Sequence, residues 1–309
     1  MKKILLAYYS QSGQINEILD NFISPFVGDQ EYELFYHQIT PLHDYPFPWT
    51  SEAFFDVFPE SVTEVACELH PMPQSLKQDY DMIILGLQVW YLSPSIPVTA
   101  FLQSDDFKDI AKNTNVITVN ACRNMWTQAQ ESVVKYLLEA SVNYRGHLVL
   151  FDQTNNFISV LTIMYWAFTG KKDKMWGFMP KPGVSDRDIK RISYFGELLK
   201  DYWEKDRLNE LQAIYIKAKG AIVRPYLMSM EHKGKRIFKI WTKIILKKGG
   251  PKNPKRIFSL KVFKYYLLVM IYLVSPIVTL GFFITYPIFY RQIRKKINKY
   301  QSVDPKAYL

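Results

Sequence analysis

The chain is 309 residues long, with 48% hydrophobic and 16% aromatic residues and a formal net charge of +10. That apolar share fills one large core or two smaller ones and excludes a disordered chain. Two cysteines, Cys67 and Cys122, exclude a disulfide framework and suit a reducing compartment.

Lys2 and Lys3 precede only a short apolar run, which argues against a cleaved signal peptide and for a cytoplasmic N-terminal part. Ile4 to Ser10 reads as a short buried strand ended by a polar break. Ile15, Ile18, Leu19, Phe22 and Ile23 then recur at helical spacing. The junction carries Ser10, Gln11, Ser12, Gly13, Gln14 and Ile15; hydroxyls, amides and a glycine suit an anion held by backbone N–H groups at a helix N-terminus, and a phosphate is the obvious candidate. No GxGxxG is present and no lysine follows Gly13. Taken alone, the stretch is equally consistent with a turn glycine and a capping Ser12.

Glu31 to Ile39 alternates as a strand, and PLHDYPFPW follows as a loop. A helix is expected over 52–69, buried strands over 79–87, 114–120 and 147–152, and helices near 97–110 and 125–140. The segment opening at Ser185, with Asp188 three residues on, reads as a capped helix. Apolar strands alternating with amphipathic helices predict a doubly wound α/β fold, whose ligands bind beyond the C-terminal strand ends. An apolar insertion, FISVLTIMYWAFTG, reads either as a lid or channel wall or as a plain core helix.

From His232 to Val303 there are seventeen Lys or Arg and no Asp or Glu, so the remaining residues carry a net −7. Inside this basic tail, Tyr265 to Tyr290 holds no charge, which argues against a nucleic-acid arm. Twenty-six uncharged residues are long enough for a hydrocarbon core of roughly 30 Å. Tyrosines at the ends and Lys261, Lys264, Arg291, Arg294, Lys295 and Lys296 on the flanks resemble interfacial anchors. Basic flanks on both sides and Pro276 in the middle favour a re-entrant hairpin over a single span, a buried core helix being the bland alternative. The expected division is therefore 1–204 as the α/β domain with its insertion near 157–169, 205–264 as a basic helical linker, 265–290 as membrane hairpin or span, and 291–309 as a basic tail. The protein should be anchored at the cytoplasmic face of the inner membrane.

The second ligand-side loop, GLQVWYLSPSIPVTAFLQ, offers Gln88, Val89, Trp90 and Tyr91, aromatic surface suited to stacking on a planar ring. The third, NACRNMWTQAQ, offers Asn120, Ala121, Cys122, Arg123 and Asn124 to a polar ring edge. A phosphate site, an aromatic wall and a polar edge describe a flavin mononucleotide (FMN) pocket. SQSGQI resembles the phosphate loop of the flavodoxin-like superfamily, and the second loop resembles that of its quinone reductases, across residues 1 to 204. The resemblance implies strand order 2-1-3-4-5. Flavodoxins usually carry a hydroxyl residue where Ile15 stands.

YYSQSGQI, NACRNMW and the tail together resemble the dialkylresorcinol condensing enzymes of aryl-polyene and flexirubin-type pathways. That resemblance implies an FMN-dependent oxidoreductase that aromatises a dialkyl cyclohexane-1,3-dione to a dialkylresorcinol, working with a partner ketosynthase on a lipophilic substrate. Tyr91, Arg123 and Asn124 are the candidates to polarise the dione oxygen or move its proton. An NAD(P)H-dependent quinone reductase on the same fold, or a membrane-bound electron carrier or scaffold, are the alternatives. A homodimer is compatible with the fold. The five dispersed histidines give no support to a metal site.

Overall fold

A computed structural model describes residues 1–308. Five parallel strands, β1 (Lys2–Tyr8), β2 (Tyr32–Gln38), β3 (Met82–Trp90), β4 (Asn115–Cys122) and β5 (Asn143–Phe151), line up in the order β2-β1-β3-β4-β5. This is the order the resemblance implies. A sixth, two-residue strand, Ser93–Pro94, turns back antiparallel on the end of β3. Alternate residues feed opposite faces, as strand pleating requires. Ile4, Leu6, Ile84, Ile117 and Leu148 face one core, and Leu5, Ala7, Ile83, Leu85 and Val116 the other.

The first core is covered by α1 (Gln14–Ile23) and α8 (Asp186–Glu204). A Cβ at Gly196 of α8 would come within 1.9 Å of the Phe22 carbonyl of α1, so only glycine permits this helix contact. Ser185 caps α8 by accepting from Asp188 N at 3.1 Å.

On the sheet's other side the expected 52–69 helix is two short ones, α2 (Ser51–Asp56) and α3 (Phe58–Thr63), since Pro59 cannot continue the hydrogen-bond ladder of α2. Likewise 97–110 divides into α4 (Ile96–Gln103) and α5 (Asp105–Ala111), because Ser104 leaves helical backbone to cap α5 through Phe107 N. α6 (Thr127–Glu139) follows β4, and α7 (Asn156–Thr169) is the apolar insertion.

The C-terminal third departs most from expectation. After α9 (Leu211–Lys217) come α10 (Pro225–Leu246), α11 (Ile257–Val269), a π-turn at Met270–Val274 and α12 (Ser275–Gln301). Residues Pro254 to Gln301 form one continuous helical run, so the chain does not reverse at Pro276 and no re-entrant hairpin is formed. The wider π-turn lies immediately before Pro276, where the ring removes a backbone donor, and the helix absorbs the defect there.

Nor are residues 205–309 an appendage to a domain ending at 204. Phe263 is fully buried, stacked on Phe58 at 3.8 Å and packed near Phe55, Phe238 and Trp241. Arg256, also fully buried, forms a two-pronged ion pair with Glu60 at 2.8 and 2.9 Å and meets Asp56 at 3.1 Å. At the other end Ile297 and Tyr300 join Trp126, Val149 and Phe151 in a separate core. Surfaces that would otherwise be exposed Phe and Trp are thereby closed.

Candidate functional site

The C-terminal ends of β1, β3 and β4 open on a cavity of about 530 Å³, a size typical of small-molecule sites. From the first loop it takes Gln11, Ser12, Gln14 and Ile15; from the second, Gln88, Val89, Trp90 and Tyr91; from the third, Ala121, Cys122 and Arg123. Three loops far apart in sequence are thus brought to one place. Ser10, Gly13, Asn120 and Asn124 do not line it.

Gly13 sits at φ +82° just before α1, and no side chain caps that helix. Its first intrahelical bond is Glu17 N to Gly13 O, which leaves the N–H groups of Gln14, Ile15 and Asn16 without a helical acceptor. Unpaired donors and the positive end of the helix dipole suit an anion. Ser10 serves this turn indirectly, since its Oγ accepts from Gly13 N at 3.2 Å. The Gln14 amide is committed elsewhere, bonding both N and O of Val184 at 3.2 and 3.3 Å, which ties the loop before α8 to the site. Ile15, fully buried, both lines the cavity and anchors α1 in the core.

At the second loop, Tyr91 (φ 47°) and Leu92 (φ 65°) form a two-residue hairpin in left-handed backbone, a conformation usually given to Asn or Gly. Two such residues cost of order 1–3 kcal/mol each and persist only where the surroundings hold them. Buried Lys235 of α10 does so, donating to the Leu92 carbonyl at 3.3 Å and to Ser93 Oγ, with Glu64 at 3.5 Å as its counter-ion. Tyr91 Oη donates to the Phe54 carbonyl at 2.7 Å. Trp90 is boxed edge-on by Tyr9, Tyr45 and Trp49, with centroids 5.1–5.9 Å away. The last two come from the PLHDYPFPW loop, which Trp49 N ties to the Ala167 carbonyl of α7 at 2.7 Å.

The third loop places Arg123 in the wall, its Nη1 donating to Asn156 Oδ1 at 2.7 Å and to Asn156 O at 3.2 Å. Asn124 Nδ2 donates to the same Oδ1 at 2.9 Å, so Asn124 positions Asn156 rather than facing the cavity. Burial lowers the Arg123 pKa, and the charge of Asp152 offsets part of that shift. Burial pushes the Cys122 thiol well above its ordinary range and so makes it a poor thiolate. Asn120 and Asn124 each hold a buried amide oxygen without a hydrogen-bond partner.

Sequence reasoning anticipated part of the remaining wall, the α7 insertion, and missed the part from α10 and the long helix. Val160, Ile163 and Met164 of α7 line the cavity, and only Ser159, Val160 and Thr162 of that helix are buried, which favours the channel-wall reading over the core helix. Gly234, Ile237 and Phe238 come from α10, and Leu267, Met270, Ile271 and Val274 from the long helix. Glu231 of α10 caps α6, accepting from Trp126 N, Thr127 Oγ1 and Gln128 N at 3.1, 2.9 and 3.0 Å. Burial nonetheless raises its pKa to about 7. His147 on β5 lies in the same region, bonded through Nε2 to the Tyr300 carbonyl at 3.0 Å, and burial lowers it to about 4.

No family of known proteins matches this sequence, and no curated protein does. Among solved structures, similarity extends to a flavoprotein in complex with FMN from Lactobacillus acidophilus, at 20% identity over 48% of this chain and 93% of that one, with a TM-score of 0.36. It extends also to oxidised flavodoxin 1 from Bacillus cereus, at 16% identity over 63% of this chain and 95% of that one, with a TM-score of 0.31.

Proposed function

We propose that this protein is an FMN-dependent oxidoreductase acting on a lipophilic substrate at the cytoplasmic face of a membrane. The observation that carries the reading is the convergence of the uncapped α1 N-terminus, the Trp90 face and the Arg123 guanidinium on one largely apolar cavity. The residues fit the cofactor. Backbone N–H groups at Gln14 and Ile15 with the Ser12 hydroxyl would hold the phosphate, and Gln88, Val89 and Trp90 would face Ala121, Cys122 and Arg123 across the ring. The unpaired amide oxygens of Asn120, at the end of β4, and Asn124, on the loop after it, flank the wall without lining the cavity. Once bound, FMN supplies a two-electron acceptor.

The narrower proposal is aromatisation of a dialkyl cyclohexane-1,3-dione to a dialkylresorcinol, a loss of two electrons and two protons, with a ketosynthase supplying the dione. Among the described residues no Asp, Glu or His lines the cavity, so the wall presents no carboxylate or imidazole base. A cyclic 1,3-dione is a vinylogous acid and ionises in water without one. The task left to the protein is to receive the enolate, and of the cations lining the cavity, Lys233, Lys264 and Arg123, it is Arg123, held by Asn156 on the ligand-side loop, that we assign to it. A buried guanidinium gains most from an anionic partner. Tyr91 shapes the wall, its hydroxyl spent on Phe54, and Asn124 acts as a positioning residue.

The test is anaerobic addition of a 2,5-dialkylcyclohexane-1,3-dione to the full-length flavoprotein. The account expects the flavin to bleach as resorcinol appears and to recover with air or a quinone. A flavin that stays oxidised with the dione but bleaches with NADPH would replace the aromatase with the quinone reductase.

A further inference from the structure

We propose that the 257–301 helix lies in the plane of an anionic membrane, sunk into one leaflet, and that the cavity takes its apolar ligand from beneath this helix rather than from water. The proposal rests on the membrane association put forward above and is independent of the cofactor.

The helix is apolar on two opposite faces. Leu260, Phe263, Leu267, Ile271 and Val274 form an inner stripe toward the body and the cavity. Phe258, Tyr265, Leu273, Ile277, Leu280, Ile284 and Ile288 form an outer stripe, each between 64% and 77% exposed. A helix on a water-facing surface keeps its outer face polar. Here the aliphatic hydroxyls of Ser275, Thr279 and Thr285 turn inward instead, donating to the carbonyls of Ile271, Ser275 and Gly281 at 2.6, 2.7 and 2.9 Å. Backbone and hydroxyls satisfied within the helix are what a hydrocarbon environment demands.

Contacts at both ends of the helix favour an in-plane arrangement over a crossing. Phe263 packs on Phe58, Lys264 Nζ donates to Ser51 Oγ, and Tyr272 Oη donates to the Phe157 carbonyl at 3.5 Å. Further along, Phe283 meets Tyr226 at 6.1 Å, and Tyr300 is buried beside Trp126. Contacts to the globular body thus recur near residues 263, 272, 283 and 300, so both ends of the helix are held to the same body. The outer stripe, widened between 281 and 292 by residues exposed on other faces, is left for lipid. Exposed Lys261 at one end and Arg291, Arg294, Lys295 and Lys296 at the other frame that stripe, with no Asp or Glu between 232 and 303. The complementary occupant is a surface of anionic lipid headgroups with acyl chains behind them.

The cavity's apolar side reaches this helix. Val160, Ile163 and Met164 of α7 face Met270, Ile271 and Val274 across it, and these last residues belong to the π-turn. One helix diameter, about 10 Å, therefore separates the cavity from the lipid. A ligand with alkyl chains passes from leaflet to cavity at this seam without crossing water.

The test uses the full chain on vesicles of phosphatidylglycerol and phosphatidylcholine. A polarity-sensitive fluorophore is attached in turn at Tyr265→Cys, Ile277→Cys and Ile288→Cys; burial raises both native thiols, so the exposed cysteine reacts first. Expected is similar quenching at all three positions, strongest with bromines near the glycerol end of the chains. Ile277→Asp with Ile284→Asp should cut vesicle partition by roughly tenfold or more without changing the melting temperature in solution. Position 277 deep and 265 and 288 shallow would establish a span or hairpin and overturn the in-plane arrangement. Absence of partition into any vesicle would instead overturn the membrane association itself.

Discussion

Phe263→Ala tests whether the long helix is part of the body. Phe263 has no exposed surface, stacks on Phe58 at 3.8 Å with planes 20° apart, and meets Trp241 at 5.6 Å and Phe238 at 5.8 Å. Truncating a fully buried Phe costs about 3–5 kcal/mol. At roughly 2–4 °C per kcal/mol for a chain somewhat shorter than this, that is a melting-temperature loss of roughly 6–20 °C. Part of the loss appears as local undocking, so hydrogen exchange of amides 257–269 should accelerate alongside the thermal shift. Phe258→Ala is the internal control: it lies on the same helix, is 77% exposed, and should change neither reading in solution. Equal and small effects of the two substitutions would refute the docking, and with it the contribution of this helix to the cavity.

Trp90→Ala should weaken FMN binding by roughly tenfold or more, because a stacked aromatic contributes about 0.5–1.5 kcal/mol beyond its buried area; flavin fluorescence on titration measures it. Arg123→Gln should lower dione turnover by roughly 10²–10³-fold, the usual loss for one donor to a developing oxyanion, with FMN affinity changed far less; unaltered kcat would remove Arg123 from the reaction. Two buried groups pull the pH dependence of stability in opposite directions. Glu231 rises from 4.5 to about 7, so the folded state holds its proton more tightly and stability falls as pH climbs through that window. His147 falls from 6.5 to about 4, so the unfolded state takes its proton first and stability falls as pH drops below 6.5. Between pH 4.5 and 6.5 the two slopes oppose each other, and Glu231→Gln should leave the His147 slope, about 1.4 kcal/mol per pH unit steeper than wild type; urea-denaturation profiles parallel for the two proteins would contradict the Glu231 assignment, and a flat profile for the variant the His147 one.

The sheet was legible because its strands are short apolar runs closed by polar breaks, whereas the strand order came only from the flavodoxin-like resemblance of the loops. SQSGQI was legible as a tight strand-to-helix turn because a glycine and small polar residues separate a strand from a helix within a few positions. Individual roles were less so. The Tyr91 hydroxyl faces a backbone carbonyl and Asn124 reaches only Asn156, pairings made across 37 and 32 residues that no local pattern encodes. The tail misled for a physical reason: Phe263 and Leu267, which face the body, are as apolar as Leu273 and Ile277, which face outward, so hydropathy alone cannot say which stripe is covered. Charge misled too. Lys235, Arg256 and Glu231 fall in the expected basic helical linker, yet all three are buried, each answered by a partner on the α/β body. Pro276 signalled a break, and a π-turn absorbed it.

The central claim, a flavin held by its phosphate at the start of α1, is tested most directly by titrating flavin-free full-length protein with FMN and with riboflavin. The account predicts one equivalent of FMN bound and riboflavin weaker by roughly 100-fold, the worth of one or two charge-assisted hydrogen bonds. Equal affinity for the two flavins, or binding of neither, would contradict it.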